Sequence, residues 1–252
     1  MRRVSADVPG SRFAAGGADP YTRMLEGGRD GVLQLRRLTN GEIAEEWNFV
    51  ALGGSADRDD LAALGAAEGP VLDVGCGPGR MVRAAAERSS AAMGIDVSPA
   101  AVRRARAEGT PALERSIFDR LPLEGRWRTV LLMDGNIGIG GDPRALLLRC
   151  HDLLAPEGRI VVETDADRDL DERSLFTVVD AAGRESDAFP WARAGWRTVV
   201  RAARDAGFSG AAHVRSGSRH FVTAAVPRRR PTRTAAPATA TAAIQSPAST
   251  RG

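Results

Sequence analysis

A carboxylate and three closely spaced glycines stand together near position 75: Asp73, Gly75, Gly77 and Gly79. Apolar residues precede them, and a run of good helix formers follows from Arg80. A buried strand, a glycine turn and a helix start together form a geometry that holds a nucleotide-like ligand. Glycine suits such a turn because it reaches positive φ without a steric penalty and leaves no Cβ between backbone and ligand. The stretch therefore predicts a nucleotide-like binding site.

The spacing of the glycines separates two kinds of nucleotide site. A dinucleotide fingerprint reads G-x-G-x-x-G, whereas this chain has G-x-G-x-G, with Asp73 two residues before Gly75. The pattern resembles motif I, D-x-G-x-G-x-G, of the class I S-adenosylmethionine-dependent methyltransferases, small-molecule type. The resemblance covers roughly residues 70–226 and implies S-adenosyl-L-methionine as the cofactor. It assigns the loop to cofactor binding, including Cys76, where the backbone asks only for a small residue.

A second carboxylate, Asp96, closes the next predicted strand, Ala91 to Ile95. A carboxylate there can accept hydrogen bonds from both ribose hydroxyls of an adenosine. NAD and S-adenosylmethionine sites share this requirement, so Asp96 alone does not choose between them. Its alternative role, capping the following helix, competes with Ser98, a capping residue followed by proline. The resemblance implies that Asp96 and the adjacent Val97 contact the cofactor.

Phe118 and Asp119 follow the third predicted strand and precede a Leu-Pro pair. In the family that the chain resembles, an acid at this place faces the adenine amino group, and the neighbouring apolar residue packs on the ring. An adenine ring needs an apolar face and an acceptor at its edge, and this pair supplies both. The resemblance therefore implies that Phe118 and Asp119 bind the cofactor.

The fourth predicted strand ends at Met133 and opens into a loop with four glycines. In class I methyltransferases this loop lies beside the departing methyl group, so the resemblance implies that Met133 contacts the cofactor. It also makes Asp134 and Asn136 the candidate catalytic residues, although an Asp-Gly-Asn sequence could equally form a plain turn. The loop is not of the Asn-Pro-Pro-Tyr type that methylates nucleic acids and proteins. His151 is the other candidate base, with a helix-end position as its simpler explanation.

Alternating strands and helices must position these residues. A parallel sheet covered on both faces is expected, followed by a helix over Trp191 to Ala206 and an antiparallel hairpin around Ser216 to Ser218. This α/β order is typical of a Rossmann-like, seven-stranded methyltransferase fold, with a mostly parallel sheet and a C-terminal antiparallel hairpin. The predicted parallel strands are Val71–Val74, Ala91–Ile95, Ala112–Phe118, Thr129–Met133 and Arg159–Glu163.

Composition divides the chain into five parts. We expect residues 1–18 to be disordered, 19–69 to form an N-terminal cap segment, and 70–227 to form the methyltransferase domain. An insertion at 164–190 reads as a hairpin that borders the acceptor site, and 228–252 reads as a disordered tail rich in Arg, Pro, Ala and Thr. In the cap segment, Tyr21, Arg37 and Trp47 are candidates to touch a ligand, and in the insertion the Phe189-Pro190-Trp191 run suits the wall of an acceptor pocket. Packing within the protein is the alternative in both places.

Charge and composition exclude several function classes. The arginines of residues 228–252 contribute +5 to a total of +3, so the rest of the chain carries −2. A nucleic-acid enzyme would normally place positive charge on its domain, so no nucleic-acid partner is expected. No signal peptide or membrane-spanning run is visible, and two cysteines, Cys76 and Cys150, form no disulfide framework. We therefore expect a cytoplasmic protein without a metal site or a membrane partner.

These observations favour an S-adenosylmethionine-dependent methyltransferase that acts on an unidentified small-molecule substrate. Three alternatives remain open: an NAD(P)-binding Rossmann oxidoreductase, a catalytically silent methyltransferase fold that binds ligand, and a nucleic-acid or protein methyltransferase. The oxidoreductase would need a different glycine spacing and has no Tyr-x-x-x-Lys pair here. The silent protein is compatible with the sequence, because a direct displacement requires no nucleophilic side chain. The acceptor, the methylated atom and the oligomeric state are not readable from the sequence.

Overall fold

The computed structural model describes Phe13 and residues 19–27, 31–48, 54–65, 69–88 and 91–228. The predicted disordered segments, 1–18 and 228–252, lie outside the described residues except for Phe13 and Arg228. The division of the chain into a cap segment, a domain with an insertion, and tails stays a prediction. Among the described residues, no helix is long and apolar enough to cross a membrane.

Seventeen helices and strands follow one another along the described chain, with a short 3-10 helix at Asn136–Gly138. In chain order they are α1 (Pro20–Glu26), β1 (Val32–Arg37), β2 (Ile43–Asn48), α2 (Arg58–Leu64), β3 (Val71–Val74), α3 (Arg80–Ala86), β4 (Ala92–Asp96), α4 (Pro99–Ala107), β5 (Ala112–Glu114), β6 (Trp127–Leu132), α5 (Pro143–Leu153), β7 (Leu154–Thr164), β8 (Asp171–Asp180), β9 (Phe189–Ala194), α6 (Trp196–Asp205), β10 (Ser209–Ser216) and β11 (Arg219–Ala225).

The main sheet has the strand order β10-β11-β7-β6-β3-β4-β5. The strands from β7 to β5 run parallel, and β11 and β10 add an antiparallel hairpin at one edge. The chain winds outward from β3 to β5 and then returns to β6 on the other side of β3. Open α/β sheets bind ligands at such a reversal, outside the carboxyl ends of the strands. The predicted α/β, Rossmann-like fold class is confirmed.

Local sequence explains why the helices begin where they do. Ser98 accepts a hydrogen bond from the backbone N–H of Ala101 ahead of Pro99, as the predicted cap requires. Asp142 caps α5 in the same way, ahead of Pro143. The helix α5 then buries one apolar face against the sheet: Leu146, Leu147, Cys150 and Leu153. These contacts fix the loop between β6 and α5 at both ends.

A second, fully antiparallel sheet joins the N-terminal strands to the predicted insertion, in the order β2-β1-β8-β9. The hairpin predicted within residues 164–190 is wrong in extent. The first half of β8, up to Phe176, pairs with β9, and the second half, from Phe176, pairs with β1. An isolated bridge joins Val179 to Glu185. Leu33, Leu35 and Phe176 are buried in this sheet. Residues distant in sequence thus share one core.

Two predicted element boundaries are also wrong. The helix predicted from Trp191 begins at Trp196, because residues 189–194 pair with β8 as strand β9. Strand pairing across the molecule here overrides the helix preference of an Ala- and Arg-rich segment. The third strand ends at Glu114 rather than Phe118. A turn follows it, closed by the N–H of Asp119 donating to the carbonyl of Ser116.

Candidate active site

A cavity of about 290 Å³ opens at the carboxyl ends of β3, β4 and β6 and extends to the second sheet. Every predicted site residue except Gly79 lines it. Gly79 instead makes a packing contact, since a Cβ there would come within 2.6 Å of the Thr110 methyl group. The predicted site residues belong to several short motifs that are separate in the sequence, and all but one of them surround the same cavity.

The glycine loop is shaped by its neighbours as well as by its backbone. Gly75 has φ +72, and a Cβ on it would lie 2.6 Å from the side-chain nitrogen of Asn136. That nitrogen donates to the carbonyls of Val74 and Gly75, at 2.9 and 3.0 Å. Asn136 thus joins the loop after β6 to the loop after β3. Its contacts make it a positioning residue rather than an acid or base.

Asp73 is buried at the base of the loop, 3% exposed. Within the described residues its carboxylate accepts no hydrogen bond. Burial raises the pKa of Asp73 to about 8, with the nearby carboxylates of Asp134 and Asp96 adding to the rise and Arg80 opposing it. A buried acid without hydrogen-bond donors is a strong acceptor for a cationic or N–H-bearing ligand.

Asp96 holds the glycine loop and the start of α4 in place. One carboxylate oxygen accepts from the N–H of Gly77 at 2.9 Å, and the other from the N–H of Ser98 at 2.8 Å. Burial raises the pKa of Asp96, while these backbone donors oppose the shift. Because each carboxylate oxygen has more than one lone-pair site, the side chain can still accept bonds from a ligand in the cavity.

Phe118 and Asp119 form another part of the wall. Phe118 is 49% exposed, which is unusual for a phenylalanine that also lines a cavity. A Cβ on Gly140 would lie 3.0 Å from its ring, so glycine lets the loop after β6 approach that ring closely. The Asp119 carboxylate accepts from the N–H of Ser116 at 3.1 Å. This pair offers an apolar face and a carboxylate side by side.

Asp134 lies at the end of β6 with φ +52, a left-handed conformation uncommon outside glycine. Both of its carboxylate oxygens accept hydrogen bonds from one nitrogen of Arg80, at 2.8 and 2.6 Å. Burial raises the pKa of Asp134, and Arg80 opposes that rise. The hydrogen bonds from Arg80 occupy both oxygens of the carboxylate and fix its position. The geometry therefore favours an orienting role for Asp134 over that of a general base.

A cluster of charged side chains, which we call the acid–arginine network, lies behind Asp134. It consists of Asp60, Arg80, Asp134, Glu163 and Arg219. Asp60, fully buried on α2, pairs with both arginines, and Arg219 also binds Glu163 through two 2.7 Å hydrogen bonds. Sequence reasoning missed this network, because its members are scattered over four elements and the loop after β6.

Aromatic side chains form the wall contributed by α1 and the second sheet. Tyr21 and Trp47, the candidates for ligand contact in the cap segment, line the cavity together with Trp191. Arg37 does not, because it pairs with Glu172 on β8. His151 packs edge-on against Phe208, away from the cavity. Phe13 was missed, since it is a single aromatic residue in a segment of Gly, Ala, Arg and Ser.

Other chemistry finds less support among the described residues. No group of three or more His, Cys, Asp or Glu side chains is placed there to hold a metal ion. Cys76 and Cys150 are both buried and unbridged, and burial raises the pKa of each thiol. Cys76 packs against Gly94, where a Cβ would lie 2.4 Å from its sulfur. A small residue at position 76 thus has a packing reason.

Comparison with known proteins gives three findings. A family model described as a methyltransferase domain matches residues 48–210. Ubiquinone biosynthesis O-methyltransferases from Psychrobacter arcticus and Psychrobacter cryohalolentis are 33% and 32% identical to this chain over 119 residues. Each match covers 44% of this chain and 46% of the relative, so the similarity spans about half the length of these curated relatives.

Among solved structures, a SAM-dependent methyltransferase from Bacteroides fragilis, in complex with S-adenosyl-L-homocysteine, has a TM-score of 0.66. It is 23% identical, and the match covers 82% of this chain and 92% of that one. A methyltransferase structure from Listeria monocytogenes, described as putative S-adenosylmethionine dependent, matches with a TM-score of 0.53 at 17% identity, over 71% and 99% of the two chains. At these identities the likeness concerns the fold.

Proposed function

The chain belongs to the methyltransferase-domain family, and from that premise we propose that it transfers a methyl group from S-adenosyl-L-methionine to a small-molecule acceptor. Its catalytic residues would be Asp134 and Asn136, acting by position, and its cofactor would lie along the glycine loop. The names of the curated relatives support an oxygen atom as the methyl acceptor. A cytoplasmic location and the absence of a nucleic-acid partner are part of the same proposal.

The main support for this proposal is the sign of the charge on the side chains that line the cavity. Four acids line it, Asp73, Asp96, Asp119 and Asp134, against two arginines, Arg80 and Arg115. Arg80 is already paired with two acids. S-adenosylmethionine brings a sulfonium and an ammonium group, which these carboxylates would stabilise. A dinucleotide would bring a pyrophosphate to the same glycine loop, close to Asp73 and Asp96, where like charges repel. The cavity thus favours the cationic cofactor over NAD(H).

The chain's residues fit this cofactor part by part. Asp96 can accept from ribose hydroxyls, and Phe118 with Asp119 can hold a planar base by its face and its edge. Asp73, lacking other donors, can accept from the ammonium group. When bound, the cofactor supplies a methyl group already activated by a positive sulfur. The protein's task is then to hold the acceptor's nucleophilic atom in line with that methyl at roughly 3–3.5 Å and to exclude water.

Atoms balance without a covalent intermediate on the protein. The acceptor atom forms a bond to the methyl carbon as the carbon–sulfur bond breaks, and the bonding pair returns to sulfur as a thioether. A hydroxyl acceptor must lose its proton to a base or to water. Because Arg80 donates to both carboxylate oxygens of Asp134, we propose that a hydroxyl acceptor gives its proton to solvent rather than to Asp134, or binds after it has already ionised.

Calorimetry with S-adenosylhomocysteine, S-adenosylmethionine and NADH tests cofactor choice. We expect binding of the first two and none of NADH. Asp96→Ala should weaken binding by about 1–3 kcal/mol through lost hydrogen bonds to a charged acceptor, while Asp152→Ala, on the far part of α5, is the matched control. NADH binding without S-adenosylhomocysteine binding would refute the proposal. Methyl-labelled cofactor incubated with small-molecule extract then asks whether any compound gains label.

A further inference from the structure

One phenyl ring stands inside a ring of four other aromatic side chains in the cavity. The ring centroid of Phe13 lies 5.2 Å from Tyr21, 5.8 Å from Trp47, 5.3 Å from Phe189 and 6.0 Å from Trp191. We call these four surrounding side chains the aromatic niche. They come from α1, β2 and β9, whereas Phe13 belongs to no helix or strand.

The walls of the niche hold together without Phe13. Trp191 contacts Trp47 and Phe189 directly, each with ring centroids 5.9 Å apart and the planes steeply inclined. Phe189 and Trp191 are fixed by the pairing of β9 with β8. With Phe13 in place, Tyr21, Trp47, Phe189 and Trp191 are each less than 9% exposed. The space that they enclose is therefore a built feature, and Phe13 is its occupant rather than its support.

The shape of the niche suits one planar aromatic ring. Trp47 and Phe189 meet the Phe13 ring nearly edge to face, at 79° and 75°, and Tyr21 and Trp191 meet it at about 40°. The edge-to-face contacts are of the kind that aromatic quadrupoles prefer. Such contacts add to the free energy that burial of the ring surface alone contributes. An aliphatic group of similar volume would fill the space without these ring-to-ring contacts.

The niche adjoins both loops that carry the proposed chemistry. Trp191 packs on the loop after β6, where a Cβ on Gly138 would lie 2.4 Å from its indole nitrogen and Ile139 forms a backbone bridge with it. The Tyr21 hydroxyl lies 3.3 Å from the Cβ position of Gly77 in the glycine loop. A ring seated here would thus place its substituents near the cofactor loop and near Asp134.

We propose that the niche is the acceptor subsite, that the acceptor is a molecule with a six-membered aromatic ring, and that this ring displaces the side chain of Phe13. This inference rests on the proposed function, because it names the acceptor of the methyl transfer. Its test measures binding and does not require methyl transfer to occur. It commits to a neutral aromatic ring. An organic cation, which aromatic cages also attract, would be a different class of acceptor.

The test is a titration of phenol into the full-length protein, followed by calorimetry or by saturation-transfer NMR. Phe13→Ala should bind phenol at least tenfold more tightly than the wild type, because the niche is vacated. Phe13→Leu, which still fills the space, is the matched control and should stay within a factor of about three of the wild type. In the double variant Phe13→Ala/Trp191→Leu, the tighter phenol binding should be lost. That result would show that phenol binds in the aromatic niche.

Two results of this titration overturn the inference. If Phe13→Ala binds phenol no better than the wild type, Phe13 is part of the wall and not a stand-in for the acceptor. If cyclohexanol binds to Phe13→Ala as tightly as phenol, or tetramethylammonium binds more tightly, the class is wrong. S-adenosylhomocysteine binding is measured on the same samples. Loss of phenol binding with intact cofactor binding refutes only the niche, whereas phenol binding without cofactor binding refutes only the proposed methyl transfer.

Discussion

At the scale of single residues, the cavity is unusual for the number of acids that it keeps away from water. Burial raises the pKa of Asp73, Asp96 and Asp134, and for Asp73 the carboxylates of Asp134 and Asp96 add to the rise. Such a site would stabilise a positively charged ligand. Perturbed acids cluster at functional sites for this reason, although ion-pair networks perturb them too.

Asp73 makes this testable through pH. Its pKa in the folded protein, about 8, lies above the unfolded value near 4, so ionisation opposes folding. The stabilising contribution is complete below about pH 4 and is lost as the pH rises through 8. Urea unfolding of the ligand-free protein should therefore show stability falling over this window by up to about 1.4 kcal/mol per pH unit, and Asp73→Asn should flatten that slope.

The difference between the pH slopes of the wild type and Asp73→Asn separates the contribution of Asp73 from those of the other acids whose pKa is raised. A wild-type slope equal to that of Asp73→Asn between pH 4 and 8 would contradict the assignment. A cationic ligand should bind the wild type more tightly as the pH rises toward 8, because ionised Asp73 is then the stronger partner. Asp73→Asn should lose this dependence.

Asp134 gives a second residue-scale prediction. Since Arg80 holds both carboxylate oxygens, Asp134→Asn should reduce methyl transfer by less than about 100-fold, the lower limit for loss of a general base. Affinity for S-adenosylhomocysteine should change little. The readout is single-turnover label transfer to an extracted acceptor, with binding measured in parallel. A loss of 10³-fold or more in rate with unchanged binding would restore the role of base to Asp134.

At the scale of elements, the site depends on contacts between segments far apart in sequence. The strand β3, its glycine turn and the cap at Ser98 could be predicted, because each signal lies within a few consecutive residues. The acid–arginine network could not, since Asp60 meets Arg219 across 159 positions of sequence. For the same reason the part of β9 from Trp191 onward was predicted as a helix, because its pairing with β8 is not visible in its own composition.

The glycine loop and the loop after β6 should prove mutually dependent. Gly75→Ala places a methyl group against the Asn136 amide and demands positive φ from alanine, so cofactor affinity should fall by at least tenfold. Adding Asn136→Ala removes the steric clash and should recover part of that loss, while leaving the backbone strain of roughly 1 kcal/mol or more. Calorimetry on both variants measures it. No recovery in the double variant would show that the clash with Asn136 is unimportant.

The helix α2 should be fixed to the site by its buried acid. Asp60→Ala leaves Arg80 and Arg219 buried without one of their partners, which typically costs about 3–5 kcal/mol. Urea unfolding measures the change. Glu26→Ala is the matched control, because its ion pair with Arg103 is more than half exposed on both sides and should contribute little. Equal effects of the two substitutions would mean that the network adds no more than a surface pair.

At the scale of the whole molecule, two sheets that are built differently close one cavity. The main sheet supplies the glycine loop and the acids, and its parallel order is readable from alternating apolar runs. The antiparallel sheet and α1 supply the aromatic wall. The strands of this sheet come from two places in the sequence, before β3 and between β7 and β10. The sequence could therefore predict the cofactor half of the site better than the acceptor half.

Cofactor binding should stabilise the molecule as a unit. A ligand that binds only the folded state adds about 2.7 kcal/mol at one hundred times its Kd, which corresponds to a rise in Tm of roughly 5–10 °C for a chain of this size. S-adenosylhomocysteine should produce this rise, and NADH at the same concentration should not. Native-state hydrogen exchange should slow in β3 and also in β9, because a gain in global stability is shared by every segment that exchanges through global unfolding. Protection confined to β3 would show that the second sheet opens independently, and the aromatic wall would then be no fixed part of the ligand site.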